Sequence, residues 1–272
     1  RSRIGEKIEH LGSAAVLACG AHFLYLAIDV VPVGSLLREH SHVLERREAQ
    51  AEIHLQSVGI GVADVGTDHA YIPVMLAKRG YSGNIFATDI NEGPLKKAQQ
   101  NLMHADCEAS VELILCDGLE GCEPEKIDTI IGAGMGGDMI TGILDRAEWC
   151  ARPDIKLILQ PVTKPEILRY WLVNNEFIIT NESHIDENGT IYQIICAKPG
   201  NDFRYKDSEL YIGRYELIKD SPCFDKLLDI HIKRFKSAAD GLKRTKRDGL
   251  DAWLALTENV LAELIEMRGR QR

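Results

Sequence analysis

Short apolar, β-rich runs recur along the chain after residue 60, separated by stretches whose apolar residues fall on one helical face. The runs are Gly61–Val65, Asn84–Thr88, Val111–Leu115, Thr129–Gly132 and Lys156–Leu159. Helices are predicted between them over Pro73–Arg79, Pro94–His104, Asp138–Arg146 and Lys164–Asn174. Pro94 suits a first helical turn, where its missing N–H costs nothing. Strand and helix alternating at this spacing predict βαβ units, hence an α/β fold with a mostly parallel sheet. Two further runs, Phe177–Glu182 and Thr190–Ala197, flank Asp186-Glu187-Asn188-Gly189, and the Asn-Gly step predicts a hairpin turn. The hairpin brings the expected sheet to seven strands.

After Lys198-Pro199-Gly200-Asn201 the pattern turns helical, over Leu210–Asp220, Cys223–Arg247 and Asp251–Glu266, with Pro222 and Gly249 as breaks. Leu36–Ala51 reads as a charged helix. The expected division is a largely helical segment over 1–56 with no assigned role, an α/β domain over 57–200 and a helical domain over 201–272.

The formal net charge of -9 argues against a general nucleic-acid binder, but a sum can hide a patch. Within 226–247, Lys226, Lys233, Arg234, Lys236, Lys243, Arg244, Lys246 and Arg247 are opposed by Asp229 and Asp240 alone. Taken by itself, such a stripe is a solvated helix face. The 7 scattered cysteines form no CxxC pair and suggest free thiols in a reducing cytoplasm, so no disulfide framework and no metal site are expected. The apolar run Ala14–Gly34 is interrupted by His22 and Asp29 and falls short of the roughly 20 residues a membrane span needs. It lacks a leader-peptide pattern and reads as buried packing.

Candidate chemistry gathers at the predicted strand ends. Asp64 lies at the end of the first run, Asp89 after the second and Asp117 after the third. In open α/β sheets ligands bind beyond the carboxyl ends of the strands. Asp89 stands close to the spacing at which an acid binds ribose hydroxyls. Asp117 is suited to accept from an adenine amino group, and Asp64 to face a cationic amino-acid end. Gly66 lets backbone approach a ligand. The turn itself, Gly66-Thr67-Asp68-His69-Ala70, puts a carboxylate near a helix start, where a pyrophosphate would need bare amides. That disfavours a dinucleotide and admits a phosphate-free nucleoside carrying positive charge, namely S-adenosylmethionine.

Ile130–Asp138 reads as a glycine loop after the fourth strand. Gly132, Gly134, Gly136 and Gly137 would leave backbone bare for a flat base; a phosphate loop is the second reading, disfavoured because no Lys-Ser or Lys-Thr follows. Gln160, before Pro161, is a rim element or a plain turn.

The segments DVGTDHAYIP, ATDINEGPL, CDGL, GAGMGG, LQPV and GTIYQII closely resemble the bacterial tRNA (adenine-22-N1)-methyltransferase family over about residues 60–200, and more loosely through the helical tail. The resemblance implies a Rossmann-like class I methyltransferase domain followed by a coiled-coil-like helical domain that helps hold tRNA. It places cofactor contacts for S-adenosylmethionine on Asp64, Gly66, Asp89 and Asp117, to which Ile90, Gly118 and Gly132 are added as neighbours in the same pocket. It places the family's Asp-His-x-Tyr element on Asp68, His69 and Tyr71, the expected catalytic group. Asp68 would fix the base edge by accepting from the exocyclic amine, while an N-cap, a buried imidazole and a core ring remain the plain readings of the three. Substrate contacts are expected at Gly134, Met135, Gly136, Gly137 and Gln160, and at Lys243, Arg244 and Lys246 in the tail. The rival readings are a methyltransferase for a small molecule or protein, and a non-catalytic nucleotide-binding module. Residues 1–56 do not follow the family's pattern, and the oligomeric state is left open.

Overall fold

The computed structural model describes residues 59–187, 189–201, 204–245 and 250–270. The expected helix Leu36–Ala51, the apolar run Ala14–Gly34, Asn188 and Lys246 lie outside them. The strands are β1 (Gly61–Val65), β2 (Asn84–Asp89), β3 (Glu112–Leu115), β4 (Thr129–Gly136), β5 (Lys156–Thr163), β6 (Phe177–Glu187) and β7 (Thr190–Pro199). They form a 7-stranded sheet in the order β3-β2-β1-β4-β5-β7-β6. Strand order reverses between β1 and β4, the topological point at which open α/β sheets take ligands. Among the described residues, 59–134 with 143–159 form one compact unit, and 135–142 with 160–270 form another.

In the first unit β1 is buried at every position, which is why its sequence is almost unbroken apolar apart from Asp64. Helices α1 (Tyr71–Lys78) and α2 (Glu92–His104) set Ile72, Leu76, Ala98 and Leu102 against Val62, Ile85, Ala87 and Ile131. The parallel register aligns Val65 with Thr88 in β2 and with Gly132 in β4, and Asp89 with Leu115 in β3. The carboxyl ends of these strands therefore lie side by side.

Helix α3 (Gly137–Arg146) follows β4, and α4 (Pro165–Asn174) follows β5. In the second unit β6 and β7 form the expected hairpin, paired up to Glu187 and Thr190, with Gly189 at φ 93. The predicted single helix Leu210–Asp220 is two short ones, α5 (Asp207–Ile212) and α6 (Tyr215–Ile218). Gly213 breaks it at φ 100, and a Cβ there would meet the Glu182 carboxylate at 2.7 Å. Helices α7 (Phe224–Arg244) and α8 (Asp251–Gly269) complete the unit. Buried Phe224, Leu228, His231 and Phe235 on α7, and Thr257, Val260, Leu264 and Met267 on α8, alternate at three- and four-residue spacing, the seam of a coiled-coil pair.

The tail helices are laced to the hairpin by a polar network that the sequence did not announce. Arg169 of α4 is fully buried and ion-paired to Glu182 of β6 at 2.6 Å. It also donates to Gln193 Oε1 at 2.7 Å and to the Leu210 carbonyl at 2.9 Å. Glu182 Oε2 accepts the Arg214 backbone N–H at 2.7 Å. A buried charge is tolerated when it is paired and hydrogen-bonded in this way. Nearby, His184 and His231 are both pushed down to about 3, chiefly by burial, so both imidazoles are neutral.

Candidate functional site

Asp64 is the penultimate residue of β1 and is only 3% exposed. Its Oδ2 accepts the Thr67 hydroxyl at 2.6 Å, and no cationic side chain pairs with it among the described residues. Burial pushes the carboxyl up to about 7, against the smaller opposing effect of the Thr67 bond. A buried acid without a counter-ion is suited to an incoming cation.

The turn beyond Asp64 is conformationally unusual. Gly66 (φ 71), Asp68 (φ 46) and Ala70 (φ 53) are all left-handed. Glycine does this freely and aspartate tolerably, whereas for alanine it costs about 1–2 kcal/mol. Ala70 is held there by full burial and by its N–H bond to the Thr67 carbonyl at 2.9 Å. Strain of this kind collects at ligand sites.

Thr88, buried at the end of β2, ties the acid-bearing turns together. Its carbonyl accepts the N–H groups of both Gly66 and Thr67 at 2.9 Å, and its hydroxyl donates to the Gly118 carbonyl at 2.8 Å. The Cys116 N–H reaches the Asp89 carbonyl at 3.1 Å. The edge carrying Asp64, Asp89 and Asp117 is thus one hydrogen-bonded assembly. Asp89 Oδ1 accepts the Asn91 N–H at 2.8 Å, and Ile90 beside it is 61% exposed, an apolar surface next to an acid. Asp117 is paired with Arg146 of α3, Nη2 to Oδ1, at 2.8 Å. Gly118 has φ 62, and Ile143 lies where its Cβ would go, so its glycine is required by the turn's own packing.

Asp68, His69 and Tyr71 form a contiguous group. Asp68 Oδ2 lies 2.8 Å from His69 Nδ1, and the His69 and Tyr71 rings are stacked with centroids 5.3 Å apart. Asn101 anchors the His69 carbonyl at 2.9 Å. None of the plain readings describes them: the N-cap of α1 is Ala70 rather than Asp68, His69 is part-exposed, and Tyr71 is 54% exposed. The close approach of the Asp68 carboxylate to Nδ1 constrains the imidazole's orientation.

The expected glycine loop over Ile130–Asp138 is instead the continuation of β4 to Gly136, with α3 starting at Gly137. Register with β1 carries the strand on past Ile131, so glycine did not stop it. Gly132 is buried beside Val65, and Gly134 is exposed at φ 76 with open space at its Cβ position.

In the second unit Met135 and Gly136 are half-buried. Gly137 is buried and required by packing, since a Cβ would lie 2.2 Å from the Lys164 carbonyl. Lys164 (φ 54) pairs with Asp138 at 2.7 Å, which lowers the Asp138 pKa. Gln160 lies within β5 and is 1% exposed, so it is a strand residue and not a turn.

The basic stripe also changes once its partners are seen. Lys226 pairs with Asp186 of β6, Lys243 with Glu258 of α8 at 2.7 Å, and Arg268 of α8 with Asp229. Arg244 donates to the Asp240 carbonyl at 3.1 Å. Lys233 and Lys236 are exposed and form no ion pair among the described residues. Thr88 and Arg146 are the site residues that sequence reading missed. A threonine before an acid and an arginine ending a helix carry no pattern of their own.

Residues 47–195 match a family model described as a methyltransferase domain. The tRNA (adenine(22)-N(1))-methyltransferase of Bacillus subtilis strain 168 is 30% identical over 156 residues, 57% of this chain and 66% of that relative. A Streptococcus pneumoniae protein solved in complex with S-adenosyl-L-methionine is 26% identical, with a TM-score of 0.59 over 77% of this chain and 92% of its own. The crystal structure of the Bacillus subtilis enzyme TrmK, 23% identical, shares the fold with a TM-score of 0.69 over 76% of this chain and 91% of its own.

Proposed function

This chain belongs to the methyltransferase-domain family, and from that premise we propose that it transfers a methyl group from S-adenosylmethionine to N1 of an adenine in tRNA, at the position, 22, named for its Bacillus subtilis relative. The observation that carries the reading is Asp64, a buried carboxyl without a cationic partner, joined through Thr88 to the turns bearing Asp89 and Asp117. These residues fit the cofactor by charge and by donor set. Asp64 would face its cationic amino-acid end, Asp89 its ribose hydroxyls, Asp117 its adenine amino group, and Ile90 one face of its base. Gly66, Gly118 and Gly132 keep backbone close to it.

S-adenosylmethionine supplies an electrophilic methyl carbon on a sulfonium. Adenine N1 attacks with its in-plane lone pair, so N–C forms as C–S breaks and positive charge passes to the base. N1 loses no proton beforehand, so no obligate general base is assigned. N1 is engaged when the base is paired, and the nucleotide must be presented unpaired. The chain's own part is placement, which supplies about 7–11 kcal/mol in well-oriented reactions, together with stabilisation of the charge developing on the base. Asp68 accepts from the exocyclic amine. His69 holds Asp68 in place, and Tyr71 extends the stacked ring surface on which a base can lie. Gly134, Met135, Gly136, Gly137 and Gln160 are assigned to the substrate.

The region 57–200 is assigned the chemistry and 201–272 the RNA. Lys and Arg contacts to phosphate give affinity with little sequence information. Among the described residues no helix is long and apolar enough to cross a membrane, in keeping with action on cytoplasmic tRNA.

Incubating a tRNA transcript with labelled donor and digesting it to nucleosides tests the reading. The expected product is 1-methyladenosine, absent when position 22 carries guanosine. Label in protein or in a small molecule, with none in tRNA, contradicts it.

A further inference from the structure

The Cys116-Asp117-Gly118 turn is held from one helix and one strand at once. Thr88 of β2 bonds the Gly118 carbonyl, and Ile143 of α3 fills the space a Cβ on Gly118 would need, 2.7 Å away. One turn further along α3, Arg146 reaches Asp117 Oδ1 through Nη2 at 2.8 Å and Glu120 Oε1 through Nε at 3.4 Å. Ile143 and Arg146 stand three residues apart and so share a helix face. That face grips the turn by packing on Gly118 and by charge on Asp117. An ion pair this exposed contributes little to stability. Its geometric effect is specific: with Oδ1 occupied by the guanidinium, the carboxylate is fixed about its bond and presents Oδ2.

We propose that Arg146 is a positioning residue for adenine recognition: it fixes Asp117 so that one carboxylate oxygen is presented to the amino group of the bound adenosyl moiety. The inference rests on the methyltransferase reading above and concerns how the cofactor pocket distinguishes adenine. Lysine is a poor replacement, because a single ammonium cannot bridge Asp117 and Glu120 as the guanidinium fork does.

Calorimetric titration of the full chain tests it with two ligands, S-adenosylhomocysteine and its deaminated analogue S-inosylhomocysteine, which offers a carbonyl where adenine has an amine. Wild-type protein is expected to prefer the adenosyl ligand. Arg146→Ala weakens that ligand about tenfold and shrinks the preference, with Arg146→Lys between the two. In an Asp117→Asn background Arg146→Ala has no further effect, because the two act as one unit. Thermal unfolding of each variant confirms that the fold is intact. An unchanged affinity and preference in both Arg146 variants, or a full additional loss on top of Asp117→Asn, overturns the inference while leaving the methyltransferase reading in place. A wild-type chain that binds neither ligand overturns both.

Discussion

Asp64 is costly to the fold, and on the proposed reading it serves the ligand. Its carboxyl is raised from the ordinary aspartate value to about 7 by burial. The folded state therefore holds the proton more tightly than the unfolded chain does. Below the unfolded pKa this favours folding, and the advantage is lost as pH rises through about 7. A cationic ligand needs the ionised form. We therefore expect affinity for S-adenosylmethionine to increase as pH rises through about 7. Asp64→Asn should abolish that pH dependence, weaken binding by at least about tenfold, and raise the melting temperature of the free protein at pH 8 by a few degrees. Calorimetry across pH and thermal scans measure both; a flat wild-type profile would refute the assignment of the buried acid to the cofactor. The acid itself was legible in the sequence, as an aspartate closing an apolar run. Its isolation was not, because burial and the absence of a counter-charge arise only from packing.

At the level of elements, the regular spacing of apolar runs made β1, β2, β3 and the helices between them readable to within a few residues. Reading failed where glycine and charge have two meanings. Glycines in β4 resembled a loop, yet ladder pairing with β1 carries the strand through Gly132. Gly137 has in addition a packing reason that the sequence did not show, since a Cβ there would meet the Lys164 carbonyl. The predicted helix Leu210–Asp220 ignored Gly213, whose left-handed backbone makes room for Glu182. Arg169 lies within the predicted helix Lys164–Asn174, where nothing in the sequence singles it out, and is the buried centre of the joint between α4, the hairpin and α5. Removing one partner of such a pair strands the other. Arg169→Met should cost about 3–5 kcal/mol in chemical denaturation, followed through Trp171 and Trp253 fluorescence, and a loss under about 1 kcal/mol would show that the network is dispensable.

For the whole molecule, the proposed function would divide the labour by charge. The chain carries -9 overall, and its acidic strand ends suit a cation. A polyanionic RNA must be met by local positive charge. Pairing narrows where that charge acts: Lys226 and Lys243 are neutralised by Asp186 and Glu258, whereas Lys233 and Lys236 stand exposed on α7 without ion pairs among the described residues. Lys233→Glu with Lys236→Glu should weaken tRNA binding about tenfold or more and flatten its salt dependence, with affinity for S-adenosylhomocysteine unchanged. Lys243→Gln should do less. Equal losses from both sets in a filter-binding series over salt would show that the paired lysine acts as freely as the unpaired ones.

On the proposed reading, the carboxyl ends of β1, β2 and β3 form a seat for an adenosyl methyl donor. Titrating the purified chain with S-adenosylhomocysteine in a calorimeter, beside Asp89→Ala, addresses it most directly. The account predicts one molecule bound per wild-type chain and none detected in the variant. No heat from the wild type, or the same affinity in both proteins, would contradict it.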